Sequence, residues 1–158
     1  MTIQVGEKMP DGAFAVMASE GPSELSSDEL FSGKKVVLFA VPGAFTPTCS
    51  VAHLPGFVVQ FDKLIESGVD TVACLSVNDV FVMDAWGKSA NAENIVMLAD
   101  GNGSYATALG LDMDATGFGM GVRSKRFAMI VNDGVLELLN VDEIGFESSS
   151  AEAVLEAL

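Results

Sequence analysis

Apolar positions along this chain fall into two patterns, continuous runs and helically spaced stripes. Val36 to Val41 (VVLFAV), introduced by Lys34 and Lys35, is β-branched and unbroken, which suits a strand buried on both faces. Val69 to Val77 is a second such run. Between them Phe57, Phe61, Leu64 and Ile65 recur at helical spacing, and Gly68 stands where a helix C-cap is expected. This stretch therefore reads as strand, helix, parallel strand. Asn78 is then a candidate cap for a helix striped by Phe81, Val82, Ala85 and Trp86, and Ile95 to Ala99 reads as a short strand. A turn at Asp100 to Ser104, a short helix at Tyr105 to Leu109 and a glycine-containing loop from Gly110 to Gly121 follow. Arg126 to Val131 and Val135 to Val141 flank Asn132-Asp133-Gly134, whose Asp-Gly step signals a hairpin closing the sheet. A last helix is expected to start at Ser149, with Glu152 as capping-box partner and Val154, Leu155 and Leu158 facing the core. No fixed-period repeat, low-complexity tract or linker interrupts the pattern, so one compact α/β unit is expected.

Charge narrows the partners. Eight Lys and Arg against 22 Asp and Glu leave a net charge of −14, which repels nucleic acid. No run reaches the roughly 18 apolar residues of a membrane span, and MTIQVGEKMPDGAF has neither a basic start nor an apolar run, so a cytoplasmic protein is expected. After Arg126 the chain has no Lys or Arg, while Asp133, Glu137, Asp142, Glu143, Glu147, Glu152 and Glu156 are acidic. A solvated anionic face, a docking surface for a basic partner and an adaptation to salt all fit that run.

Two cysteines, Cys49 and Cys74, in a reducing compartment argue against a disulfide scaffold. With His53 the only histidine, a Ser-His-Asp triad has a thin basis, and zinc held by Cys49, His53 and Cys74 lacks a fourth ligand. The informative segment is Val41 to Phe57, VPGAFTPTCSVAHLPGF. Pro47 suits the first helical position with Thr46 as N-cap, which sets Cys49 near the third position among unpaired N–H groups. Those donors and the helix dipole favour thiolate, the nucleophilic form, and cysteines so placed titrate at roughly 3.5–7.5 rather than about 8.5. A small buried core residue is the plainer fate of such a cysteine. The Thr46 hydroxyl caps a first-turn amide on this reading, and also stands near the sulfur; Pro42 shields the pocket. His53, four residues after Cys49, invites a Cys-His pair, but Pro55 disturbs that helix, and a structural or pocket-lining role fits better.

Pro42, Thr46 and Cys49 match the Pro-x-x-x-Thr-x-x-Cys signature of peroxiredoxins, thiol peroxidases on a thioredoxin-like fold. Together with VACLSVNDVFVMDAW (Val72 to Trp86) and GVRSKRFAMIVNDGVLELLNV (Gly121 to Val141), the segment resembles the type II subfamily over almost the whole chain. The resemblance implies a single domain over residues 1–158 with a central mixed β-sheet flanked by helices. It implies that Cys49 attacks a hydroperoxide and becomes a sulfenic acid, and that Arg126 is the active-site arginine, with Arg123 the alternative. An arginine is also what the charge demands, since a field of net charge −14 opposes a further anion unless a local cation offsets it. The C-terminal resolving cysteine of mammalian members is missing, with Ser148, Ser149 and Ser150 in that region. Cys74, twenty-five residues after Cys49 as in plant members, is a possible resolver but lies mid-strand, where a disulfide requires local unwinding around Cys49. Otherwise an external reductant, glutathione with glutaredoxin or thioredoxin, completes the cycle with no bound cofactor or metal. A homodimer is implied, with Trp86, Phe81, Phe118 and Met120 as interface candidates. Without a Cys-x-x-Cys pair a one-site dithiol oxidoreductase is excluded. A catalytically idle thioredoxin-like redox-sensing or chaperone module is the alternative from another class.

Overall fold

A computed structural model describes residues 1–158. The buried runs form the middle of a seven-stranded sheet. Strands β3 (Lys35–Ala40), β4 (Thr71–Ser76) and β5 (Val96–Ala99) run parallel, and β8 (Arg126–Asn132) and β9 (Val135–Asp142) add antiparallel beside β3. Asp133 and Gly134 both take positive φ (48° and 81°), as the tight turn between β8 and β9 requires. On the opposite edge β1 (Ala13–Ala18) pairs with β5 and with β2 (Gly21–Ser26), giving the order β2-β1-β5-β4-β3-β8-β9. This edge hairpin and the helix after it, α1 (Ser27–Phe31), lie outside the sequence expectations. AFAVMA and GPSELS are only half-buried and carry little alternation, while α1 opens on a capping box between Ser26 and Glu29.

Alternation along β3 divides the core. Val37 and Phe39, with Val72 and Cys74 of β4, face α2 (Leu54–Glu66), α3 (Val80–Ser89) and α5 (Ala151–Glu156). Val36, Leu38 and Ala40 face α1 and α4 (Ser104–Leu109). Within the glycine-containing loop, β6 (Asp112–Asp114) and β7 (Val122–Ser124) form a separate two-stranded ribbon.

Two helix starts differ from expectation. Asp79, not Asn78, caps α3 by accepting from the Val82 amide. The Asn78 carbonyl oxygen is engaged elsewhere, by the Ala44 amide and the Ser76 hydroxyl. The shifted start turns Val80, Met83, Trp86 and Gly87 inward and leaves Phe81 64% exposed. Trp86 is thereby a core residue, 1% exposed, and its indole N–H donates to Ser50 Oγ, so it drops out as an interface candidate. Ser150, not Ser149, caps α5 by accepting from the Ala153 amide, and Glu152 falls one position short of capping-box register.

Candidate active site

The site grows from the carboxyl end of β3. Beyond Val41 the loop is held at its rear by Asn78, and it crosses Phe45 in a left-handed conformation (φ 63°) before the helix begins at Pro47. Gly43 is required by close approach, because a Cβ there would stand 3.0 Å from Thr46 Cγ2, 3.2 Å from Met120 Cε and 3.3 Å from an Arg123 nitrogen. The helix start matches the sequence reading, with Thr46 accepting from the Ser50 amide through its carbonyl and Cys49 third in the helix. The Thr46 hydroxyl differs from it. Instead of capping an amide, it donates to the Gly43 carbonyl at 2.6 Å, which leaves its lone pairs free to accept from another donor.

From Cys49 to His53 the helix widens into a π-turn, in which the Leu54 amide reaches back to the Cys49 carbonyl, before narrowing into α2. Pro55 has no amide to offer the turn before it, and the wide turn lets the chain pass it without breaking. Cys49 is completely buried, in the same core cluster as Cys74.

Arg126 comes from the first position of β8. Register sets it there: Ala40 at the end of β3 pairs with Phe127, so the residue before Phe127 stands beside the loop that leaves β3. The residue is 9% exposed; its guanidinium donates from Nη2 to Cys49 Sγ at 3.1 Å and from Nη1 to His53 Nδ1 at 2.9 Å, and it stacks 5.8 Å from the Phe146 ring centre. The two ion pairs of the structure are Lys88–Asp84 and Lys125–Glu143, so no carboxylate neutralises Arg126. Arg123 is used differently. Its Nε donates to the Met120 carbonyl at 2.9 Å and its Nη1 to the Val77 carbonyl at 3.1 Å, tying the glycine-rich loop to the end of β4.

His53 does not pair with Cys49. Its Nε2 donates to the Ser149 carbonyl at 2.9 Å and its Nδ1 accepts from Arg126, while Phe39, Phe57 and Phe146 surround the ring. Burial, and secondarily the Arg126 charge, push its pKa down to about 3, so the ring is neutral near pH 7. Ser149 is held in turn by Asp142, whose carboxylate accepts from the Ser149 hydroxyl and from the amides of Glu147, Ser148 and Ser149. Burial raises the Asp142 pKa, but these hydrogen bonds outweigh it and hold the group well below the usual carboxylate range. Sequence reasoning missed Asp142, Phe146, Ser149 and the anchoring role of Asn78, since no local spacing links them to Cys49. A cleft of about 260 Å³, lined in part by Pro42, Thr48 and Lys125, opens onto Arg126. Cys74 sits in the central strand β4, where burial pushes its thiol up and the neighbouring Cys49 adds to the shift.

A sulfur facing an unneutralised guanidinium, three residues along the chain from a threonine hydroxyl with free lone pairs, suits nucleophilic attack on a small polar oxidant. The chain is similar to several known proteins. The redoxin family profile matches residues 4–155. Peroxiredoxin-2B of Arabidopsis thaliana is 45% identical over 99% of this chain and 98% of its own length. Peroxiredoxin-2E-2, chloroplastic, of Oryza sativa subsp. japonica is 48% identical over 99% of this chain and 73% of its own. Reduced Prx3 from Vibrio vulnificus, solved in complex with hydrogen peroxide, is 54% identical, superposes with a TM-score of 0.96 and is matched over 99% of both chains. No helix of this chain is long and apolar enough to cross a membrane. The chain thus belongs to the redoxin family and, within it, to the type II peroxiredoxins, thiol-dependent peroxidases that need no prosthetic group.

Proposed function

We propose that Cys49 is the peroxidatic nucleophile, working with Thr46, Pro42 and Arg126 in a single domain spanning residues 1–158. The thiolate attacks the terminal oxygen of a hydroperoxide, ROOH. An S–O bond forms, the O–O bond breaks with its electron pair passing to the leaving oxygen, and the hydroperoxide proton is transferred to that oxygen to release ROH. Cys49 is left as a sulfenate, which takes a proton from water to become the sulfenic acid. Thr46 accepts a hydrogen bond from the hydroperoxide O–H, since its own proton is committed to Gly43. Arg126 faces the thiolate and donates to the oxygens as charge spreads along the lengthening bond, which a planar guanidinium does better than an ammonium. Pro42 keeps water off the reacting sulfur. The observation that carries this reading is the 3.1 Å contact between Sγ and a buried guanidinium with no carboxylate partner.

An external thiol completes the cycle: one thiol condenses with the sulfenic acid, releasing water, and a second frees Cys49 by exchange. Glutathione with glutaredoxin, or thioredoxin, supplies them. Support comes from Cys74, the only other cysteine, which is buried mid-strand. Such chemistry requires a reducing compartment, which fits a cytoplasmic home. A homodimer with Phe81 and Phe118 at its interface fits their exposure of 64% and 86%. Met120 lies against the loop at Gly43.

The test is rapid mixing of the reduced protein with hydrogen peroxide. One thiol should vanish far faster than free cysteine reacts, and Cys49→Ser should abolish the fast phase. If Cys49→Ser retains it, the nucleophile is another group. If the parent reacts no faster than free cysteine, the site is idle and the redox-sensing or chaperone role gains support.

A further inference from the structure

His53 is a buried titratable group that the peroxide chemistry leaves without a task. His53 has no solvent exposure, and both of its ring nitrogens are engaged. Its tautomer is dictated from one side. The Ser149 carbonyl can only accept, so Nε2 carries the hydrogen, and Nδ1 is left as a bare acceptor facing Arg126. A histidine wired in this way cannot serve Cys49 as a base, because neither nitrogen is free. It does supply what the arginine lacks. A guanidinium anchored by the sulfur alone is free to pivot about that contact, whereas a second, in-plane acceptor 2.9 Å from Nη1 fixes the plane that presents Nη2 to Sγ.

We propose that His53 is a positioning residue for the peroxide reaction: its neutral imidazole, oriented by the Ser149 carbonyl, accepts from Arg126 Nη1 and so aims Nη2 at the Cys49 sulfur. This rests on the assignment of Cys49 and Arg126 to catalysis. A neutral acceptor is also the right chemical choice. A carboxylate at this place would pair with Arg126 and cancel the positive charge that the thiolate needs, and an imidazolium would set an N–H against an N–H and one cation against another. Imidazole alone among side chains combines a rigid ring, a donor to the carbonyl and an uncharged acceptor for the arginine. The groups facing the ring bear this out: Arg126 from β8, the Ser149 carbonyl from the segment before α5, and the apolar rings of Phe39, Phe57 and Phe146. Asp142 stands one step back, holding Ser149 rather than the histidine. A chain of contacts thus runs from Asp142 through Ser149, His53 and Arg126 to Cys49, joining residues that no sequence spacing connects.

The experiment compares His53→Asn, whose amide oxygen restores an acceptor close to the Nδ1 position, with His53→Leu, which keeps bulk and offers none. Each is made in the parent and in Arg126→Ala. Readouts are the second-order rate with hydrogen peroxide and the pH midpoint of thiolate absorbance near 240 nm, with circular dichroism to establish folding. His53→Leu should slow the parent about tenfold and raise the midpoint, the size expected for one lost charge-assisted hydrogen bond. His53→Asn should recover most of the rate. In Arg126→Ala, His53→Leu should have little further effect, because its route of action is already gone. The proposal is overturned if folded His53→Leu keeps the parent rate and midpoint, if Asn and Leu variants are equally impaired, or if His53→Leu slows Arg126→Ala as much as it slows the parent. Should His53→Leu fail to fold, the Asn variant decides alone, since the proposal requires it to stay near the parent in rate and midpoint. Failure of the underlying reading is distinguishable, because it shows in the parent and in Cys49→Ser, before any change at His53.

Discussion

Replacing Arg126 by alanine removes the only cation within bonding distance of the Cys49 sulfur. At the observed 3.1 Å and an effective dielectric near 20, the interaction of a full positive and a full negative charge is about 5 kcal/mol. Water entering the vacated volume restores part of it, and the lost charge-assisted hydrogen bond is itself worth about 1.5–3 kcal/mol. A net penalty of about 2–3 kcal/mol on forming and using the thiolate follows, which is about a 30- to 150-fold slower reaction with peroxide. Trp86 offers a built-in signal, since its indole N–H bonds to Ser50, the residue after Cys49. Stopped-flow fluorescence can therefore be read beside thiol loss, with the pH midpoint of thiolate absorbance expected to move upward. Arg123→Ala is the matched control. Arg123 bonds only to backbone carbonyls, so its loss loosens the glycine-rich loop and should slow the reaction by less than Arg126→Ala does. A folded Arg126→Ala within about threefold of the parent, where the charge argument demands tens, would refute the reasoning, as would the opposite ranking of the two arginines.

Thr46→Val keeps the shape but deletes the hydroxyl, and should slow peroxide reduction about 10- to 100-fold, with Thr46→Ser close to the parent in the same stopped-flow assay. Cys74→Ala should leave the first oxidation step intact and cost about 1–2 kcal/mol of stability in urea, as a small cavity in β4 would. Mass analysis under non-reducing conditions after one equivalent of peroxide should find no intramolecular bond between Cys49 and Cys74. The protein should also be sensitive to acid. His53 has its pKa lowered to about 3 when folded, against about 6.5 unfolded, so the unfolded chain binds more protons between these values. Stability should therefore be intact above pH 6.5 and fall as pH drops through that window, by up to about 1.4 kcal/mol per unit. Asp142, also lowered, adds a loss that begins near pH 4, its ordinary value, and continues as pH falls. Urea titrations at pH 7, 6 and 5 check the histidine part, and His53→Asn should flatten the slope in that interval.

The parts of the fold that announced themselves did so through burial. VVLFAV could only be a strand covered on both sides, and Asp133-Gly134 could only be a tight turn, because few other residues accept those positive φ values. The edge strands β1 and β2 gave no such signal, being half-exposed. Asn78 and Asp79 are equally good caps by type, and what separates them is the Ala44 amide, which captures Asn78 across 34 residues of chain. The helix start at Pro47 was readable in Thr46-Pro47, where local stereochemistry rules. His53 and Arg126 are 73 residues apart and meet only because the β3–β8 ladder brings them together. Contacts made by register are invisible in one chain's spacing until the sheet order is known.

The complete burial of Cys49 turns the molecule into a sieve as well as a catalyst. An oxidant the size of hydrogen peroxide can slip past side chains that rearrange within nanoseconds, but a reductant as large as a folded protein must wait until the wide turn from Cys49 to His53 peels away, a slower class of motion. Bulky electrophiles face the same wait. Sequences that stiffen the turn should trade regeneration speed for protection of the sulfur.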